Sequence, residues 1–230
     1  MTLKNLAMAA VLVALPAASP ADTASTPSAA GRLERIPGQP FCSAALIAPQ
    51  IVLTAAHCVP KHLEEKDKIS LRFRPGGARK NGGLAVDKVA VHPLYLLFAL
   101  PEALRLRFDM ALARLTDPRA AAGIEPLPVG PEAVVGETLY VVSWRTGLRP
   151  RQRACKVIEG IEGLVTLACE VRPGESGAPV LRKQADGSLE LVAVISSRTS
   201  VLNQPVAQAS NVAGRLEPLE QALEAAARHP

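Results

Sequence analysis

Short runs alternating apolar and polar residues dominate the chain, and few stretches follow the 3.6-residue period of a helix. Ile69-Ser70-Leu71-Arg72-Phe73 shows the pattern plainly: alternate side chains point to opposite faces of an extended strand, one toward a core and one toward water. Gly31–Leu33, Phe41–Leu46, Ile51–Thr54, Leu84–Val91 and Met110–Leu115 read in the same way. Turns separate them at Ala48-Pro49-Gln50, Pro75-Gly76-Gly77 and Asn81-Gly82-Gly83. Proline and glycine then cluster from Pro118 to Gly136, which marks a domain boundary. Beyond it come Thr138–Trp144, Cys155–Ile158, Leu164–Val171, Pro179–Leu181 and Leu189–Ser196. About six short strands on each side predict an all-β fold, and strand counting leaves barrel and sandwich open.

Helical signals are confined to a few places. Ala55 to Cys58 begins a helical turn, and the apolar stretch Leu94–Arg107 contains another before Asp109. At the C-terminus, Leu216, Leu219 and Leu223 fall on one face, with Glu217, Glu220 and Glu224 away from it. Pro218 sits in the first turn, where proline is tolerated. Residues 215–230 are therefore expected as an amphipathic helix packed on the second domain. Lys4, the apolar run Leu6–Leu15 and the small residues Ser19-Pro20-Ala21 predict a signal peptide over 1–21, cleaved near Ala21. Residues 22–40 are expected as an N-terminal segment and first strand, 41–125 as the first domain and 126–214 as the second.

Composition narrows the classes. The chain has 230 residues, 48% hydrophobic and 3% aromatic, so its core must be aliphatic. A formal net charge of +5 is too small and too scattered to argue for nucleic acid. No apolar run reaches the roughly 20 residues that a spanning helix needs. The chain is expected to be secreted or periplasmic and monomeric. Four cysteines in an exported chain predict two disulfides. Three connectivities are possible, and the spacing favours Cys42–Cys58 and Cys155–Cys169. No CxxC or HxxxH spacing supports a metal, and no cofactor is called for.

The candidate chemistry lies in three stretches: Leu53-Thr54-Ala55-Ala56-His57-Cys58, Phe108-Asp109-Met110-Ala111-Leu112 and Gly174-Glu175-Ser176-Gly177-Ala178-Pro179. A serine on a glycine turn presents its hydroxyl and nearby N–H groups to a bound carbonyl. It needs a base, and imidazole titrates in the right range. Of the four histidines, His57 alone has such a context; His62, His92 and His229 do not. A carboxylate on the other ring nitrogen fixes the tautomer. Asp109 is favoured over Asp87 and Asp117, because neither rival leads into a comparable Met-Ala-Leu-Ala strand.

From Phe41 to Ser197 the chain resembles the chymotrypsin-like (trypsin family) serine proteases, in the style of bacterial secreted members. The order His57, Asp109, Ser176 is that fold's order. The resemblance implies two antiparallel six-stranded β-barrels with the active site between them. It also implies His57, Asp109 and Ser176 as catalytic residues, and the Gly174 and Ser176 amides as oxyanion donors. Glu170, Ser196 and Arg198 fall where such proteases bind substrate.

Several positions depart from the family. No Ile-Val-Gly-Gly N-terminus exists to pair with the acid before the nucleophile, which is Glu175 rather than aspartate. A side-chain cation or an amine near Asp22 is expected in its place. Glu170 occupies the position of the aspartate that draws Arg or Lys in trypsins. Arg172 stands where a cysteine normally clamps the pocket wall, and Ser196-Ser197-Arg198 replaces Ser-Trp-Gly. Arg198 closes the pocket, pairs with Glu170 or attracts an acidic side chain; sequence leaves these open. The basic run Arg145, Arg149, Arg151, Arg153, Lys156 is expected as a solvated loop, with steering of acidic substrates or binding to an anionic surface as its alternative roles. The expected function is an exported serine endopeptidase acting on protein or peptide substrates. Its rivals are a catalytically silent binding module and an esterase-type acyl hydrolase on the same fold.

Overall fold

The computed structural model describes residues 26–36, 39–59, 71–76, 83–97, 100–144 and 149–228. The expected signal peptide, His62, His229 and Arg145 lie outside them. Among the described residues, the first barrel holds β1 (Ala30–Ile36), β2 (Gln39–Ala48), β3 (Ile51–Thr54), β4 (Arg72–Pro75), β5 (Leu84–Val91) and β6 (Ala111–Leu115). The second holds β7 (Thr138–Ser143), β8 (Arg151–Ile161), β9 (Leu164–Ala168), β10 (Pro179–Lys183), β11 (Leu189–Val201) and β12 (Gln204–Asn211). The closed orders are β1-β2-β3-β6-β5-β4 and β10-β11-β12-β9-β8-β7, so the two barrels share one cyclic strand order. Closure removes the exposed edges that short antiparallel strands would otherwise present.

The alternating positions fill the interiors. Leu33, Leu46, Leu53, Phe73, Leu112 and Leu115 are fully buried in the first barrel, and Leu139, Val141, Val157, Leu167, Val180 and Val192 in the second. Full burial of each such side chain contributes roughly 1.5–3 kcal/mol. Trp144, at the end of β7, belongs to the first core rather than to its own barrel's. Its backbone N–H donates to Ser43 Oγ of β2 at 3.0 Å.

Two features differ from the sequence reading. Strand β12 is not visible as an alternating run, because Gln204-Pro205-Val206-Ala207-Gln208-Ala209 carries small residues and a proline. The β11–β12 hairpin turns at Leu202 and Asn203, whose φ angles of 47° and 62° suit a tight right-twisted turn. The C-terminal helix does form, but it packs against β5 and β6 of the first barrel, not on the second. Leu219 and Leu223 enter the first core together with Val212 from the end of the second barrel. The helix, Leu216–Arg228, therefore straps the two barrels together. Its helical period fixes an apolar face, while the direction of the chain leaving β12 selects the barrel that face meets.

Candidate active site

Strand β3 delivers His57. It pairs with β6 so that Thr54 lies opposite Ala111 and Leu53 opposite Leu112. A short 3-10 turn over Ala56–Cys58 then lifts His57 off the sheet. The Cys42–Cys58 disulfide pins that turn to β2. Asp109 enters from the other side, at the end of a short helical stretch over Leu106–Phe108 that leads into β6. The carboxylate is 1% exposed, and buried charge of this kind requires partners. Asp109 Oδ2 lies 2.8 Å from His57 Nδ1, and Oδ1 accepts the His57 backbone N–H at 3.1 Å. The hydroxyl of Ser196 donates to the same Oδ2. Burial alone would lower the His57 pKa, but the hydrogen bond and charge of Asp109 outweigh it and raise the ring above its ordinary value. The rival acids have other partners: Asp87 binds Arg114, and Asp117 caps the amide of Arg119.

Ser176 sits in the tight turn before β10, between Gly174 at φ 91° and Gly177 at φ 74°. These left-handed angles suit glycine. Gly177 is also required for space. A Cβ there would lie 2.2 Å from Thr54 Oγ1 and 2.3 Å from the Ser43 carbonyl. The turn is thus pressed against Thr54 and Ala55, the residues that lead into His57. Ser43 fastens the contact: its N–H donates to the Ser176 carbonyl at 2.7 Å, and its own carbonyl accepts from Thr54 Oγ1 at 2.8 Å. Within the turn, the amides of Glu175, Gly177 and Ala178 donate to the carbonyls of Arg172, Ile195 and Glu175. Those of Gly174 and Ser176 donate to no protein group among the described residues, which leaves two neighbouring donors for a ligand.

Glu175 is completely buried. Its cation is Arg153 of β8, whose Nη2 contacts Glu175 Oε1. Ser143 Oγ donates to the same oxygen at 2.8 Å, and Oε2 accepts the Arg172 N–H at 2.8 Å. Arg153 Nη1 also donates to the Glu170 carbonyl. One guanidinium therefore holds both the acid before Ser176 and the wall at 170–172, where the family's clamping cysteine is missing. The Cys155–Cys169 disulfide, with Cα atoms 5.4 Å apart, ties the same two segments just beyond it. This corrects the reading of the basic run as a wholly solvated loop. Arg149, Arg151 and Lys156 are exposed, but Arg153 turns inward. Strand alternation carried part of the missed signal: Arg153 stands two residues before Cys155 and four before Val157, on the face those core residues share.

Beside Ser176 lies a cavity of about 320 Å³, lined by Val171, Pro173 and Ile195, by Ser196 and Ser197, and by Arg172 and Arg198. Glu170, expected there as the specificity carboxylate, is absent from the lining. Its half-exposed side chain meets Arg172 Nε and Nη2 at 3.0 and 3.3 Å. Ser196, expected to bind substrate, does line the cavity but directs its hydroxyl to Asp109. A bulge between Ile195 and Ser197 re-aims the strand at that point. The sulfurs of Cys42 and Cys58 and the His57 ring come within 4.8 Å of one another, yet both sulfurs belong to one disulfide and offer no thiolate to a metal. Behind Asp109, His92 stacks on Phe108 with ring centroids 4.8 Å apart, and burial together with Arg215 holds its pKa at about 4.

Comparison with known proteins gives a consistent picture. A family model described as a trypsin-like peptidase domain matches residues 42–194. Tryptase of Mus musculus is 29% identical over 109 residues, covering 45% of this chain and 38% of that protein. Hypodermin-B of Hypoderma lineatum is 33% identical over 82 residues, covering 34% of this chain and 28% of that protein. The matched stretches thus span about a third of these relatives' length.

Proposed function

The chain belongs to the trypsin-like peptidase family, and from that premise we propose that it is a serine endopeptidase working through His57, Asp109 and Ser176. The His57 ring, made more basic by Asp109, takes the Ser176 proton as Oγ attacks a peptide carbonyl. The amides of Gly174 and Ser176 receive the oxyanion; losing one such donor typically lowers the rate about a hundredfold to a thousandfold. The imidazolium then returns its proton to the leaving amine, and water releases the acyl group by the same route in reverse. Arg153 supplies the cation for Glu175, so the turn bearing Ser176 needs no newly cut N-terminus to order it. Two disulfides fit an oxidising compartment outside the cytoplasm, and a cleaved leader over 1–21, which the sequence pattern suggests, would deliver the chain to it.

The observation that carries this reading is the buried Asp109 carboxylate, shared by the His57 ring, the His57 amide and the Ser196 hydroxyl. Such convergence orients an imidazole, and a binding module has no physical need for it. The test is labelling of the purified, oxidised protein by a fluorophosphonate probe between pH 6 and 9. Stoichiometric labelling, lost in Ser176→Ala, is expected. A folded protein with both disulfides formed and no labelling would sink the proposal.

A further inference from the structure

We propose that the cavity beside Ser176 selects an acidic side chain, glutamate or aspartate, on the residue whose carbonyl is attacked, and that Arg198 makes the selection. This rests on Ser176 being the nucleophile.

The argument is a charge census. The cavity wall carries two arginines and no carboxylate. Arg172 is matched, because both its Nε and its Nη2 meet the Glu170 carboxylate. Arg198 has no ion-pair or hydrogen-bond partner among the described residues. The nearby acids each have donors of their own: Glu175 holds Arg153 and Ser143, and Asp109 holds His57 and Ser196. Glu170 is the one acid placed to draw a basic side chain, and Arg172 neutralises it on the protein surface. The net charge offered to an incoming side chain is therefore that of a single guanidinium.

The hydroxyls do not change this balance. Ser196 donates to Asp109, and Ser197 Oγ donates to Gln208 Oε1 at 2.8 Å. Neither is left to donate to a neutral amide or hydroxyl side chain. Val171 and Ile195 form apolar walls, and a charge pair strengthens next to such walls. At about 320 Å³ the cavity is at the small end of ligand pockets and takes one side chain. Arg198 itself lies on the exposed part of β11, opposite Ala207 of β12. A planar guanidinium grips a carboxylate through two parallel hydrogen bonds, whereas a lysine or arginine side chain would meet like charge. The rim position also means that salt weakens the preference.

The test uses the purified, oxidised protein and quenched peptides that differ only at the attacked residue: Glu, Asp, Gln, Ala, Leu, Lys or Arg. We expect kcat/KM for Glu to exceed that for its isostere Gln by about tenfold or more, the scale of a hydrogen bond to a charged group. Lys and Arg peptides should fall below Ala. Arg198→Ala should erase the Glu-over-Gln ratio, and Arg198→Glu should shift preference toward Lys and Arg. Wild-type preference for Lys or Arg, or a Glu-over-Gln ratio that survives in Arg198→Ala, overturns the proposal. Fluorophosphonate labelling of the same preparation separates the two readings. A labelled enzyme preferring Lys or Arg overturns acid selection alone, and an unlabelled one overturns both.

Discussion

The two barrels share one strand order, yet they hold their parts of the site by different means. The first barrel fixes His57 and Asp109, 52 residues apart in sequence, through backbone register. Thr54 pairs with Ala111, the disulfide closes a loop of 16 residues, and both side chains flank the same strand pair. The second fixes the turn bearing Ser176 through side-chain polar ties. Arg153 is 22 residues from Glu175, and Ser143 is 32 from it. The difference teaches that His57 and Asp109 are placed by the register of two strands distant in sequence, whereas the turn bearing Ser176 depends on a buried ion pair between side chains.

The sharpest way to break this comparison is to disable each half and ask what is lost. Asp109→Asn should leave the first barrel folded but lower kcat/KM by about 10⁴-fold, because the wrong histidine tautomer then faces Ser176. A protein that loses its thermal transition instead would show that Asp109 holds the fold. Arg153→Ala should do the opposite kind of damage. It strands a fully buried carboxylate, which destabilises by about 3–5 kcal/mol. The double variant Arg153→Met, Glu175→Gln should recover stability in denaturant titrations. If it also recovers full fluorophosphonate labelling, the ion pair serves folding alone and does not order the turn.

Smaller effects sharpen the same contrast. Replacing Cys42 and Cys58 together by serine removes a closure worth about 3 kcal/mol in the chain-entropy model. Urea unfolding measures it, with labelling at low temperature expected to persist because β3 and β6 still position His57. Smallest is the pH response. His57 is raised above its ordinary value, so the acid limb of kcat/KM should lie above pH 6.5 and activity should fall as pH drops through it. By linkage, the same shift lends stability below the unfolded-state pKa, and this is lost as pH rises through the folded one. An acid limb below 6.5 would show that burial, not Asp109, controls the ring.

Much of this was legible in the chain. The alternation of Ile69–Phe73 announced β4, which is observed over Arg72–Pro75 with Ile69 and Ser70 outside the described residues; its counterparts announced other strands, and His57, Asp109 and Ser176 each stood in an informative local context. The cysteine spacing pointed to the observed bridges. Strand β12 was hidden because Ala207 and Ala209 bury small side chains that give little periodic contrast. The role of Ser196 was hidden as well, since a serine inside an apolar strand looks alike whether it meets substrate or Asp109.

By itself, then, the sequence determined the local periods: which residues can be strand or helix, which face of each is apolar, and where glycine permits a sharp turn. These follow from side-chain geometry over a few neighbouring residues. Only the tertiary structure decided which faces meet. It chose the first barrel for the C-terminal helix, Arg153 as the cation for Glu175, Asp109 for the Ser196 hydroxyl, and Arg172 as the partner that takes Glu170 out of the cavity. Each of these choices pairs groups, apolar for the helix and polar or charged for the rest, that fit several partners, and distance in the closed fold selects among them.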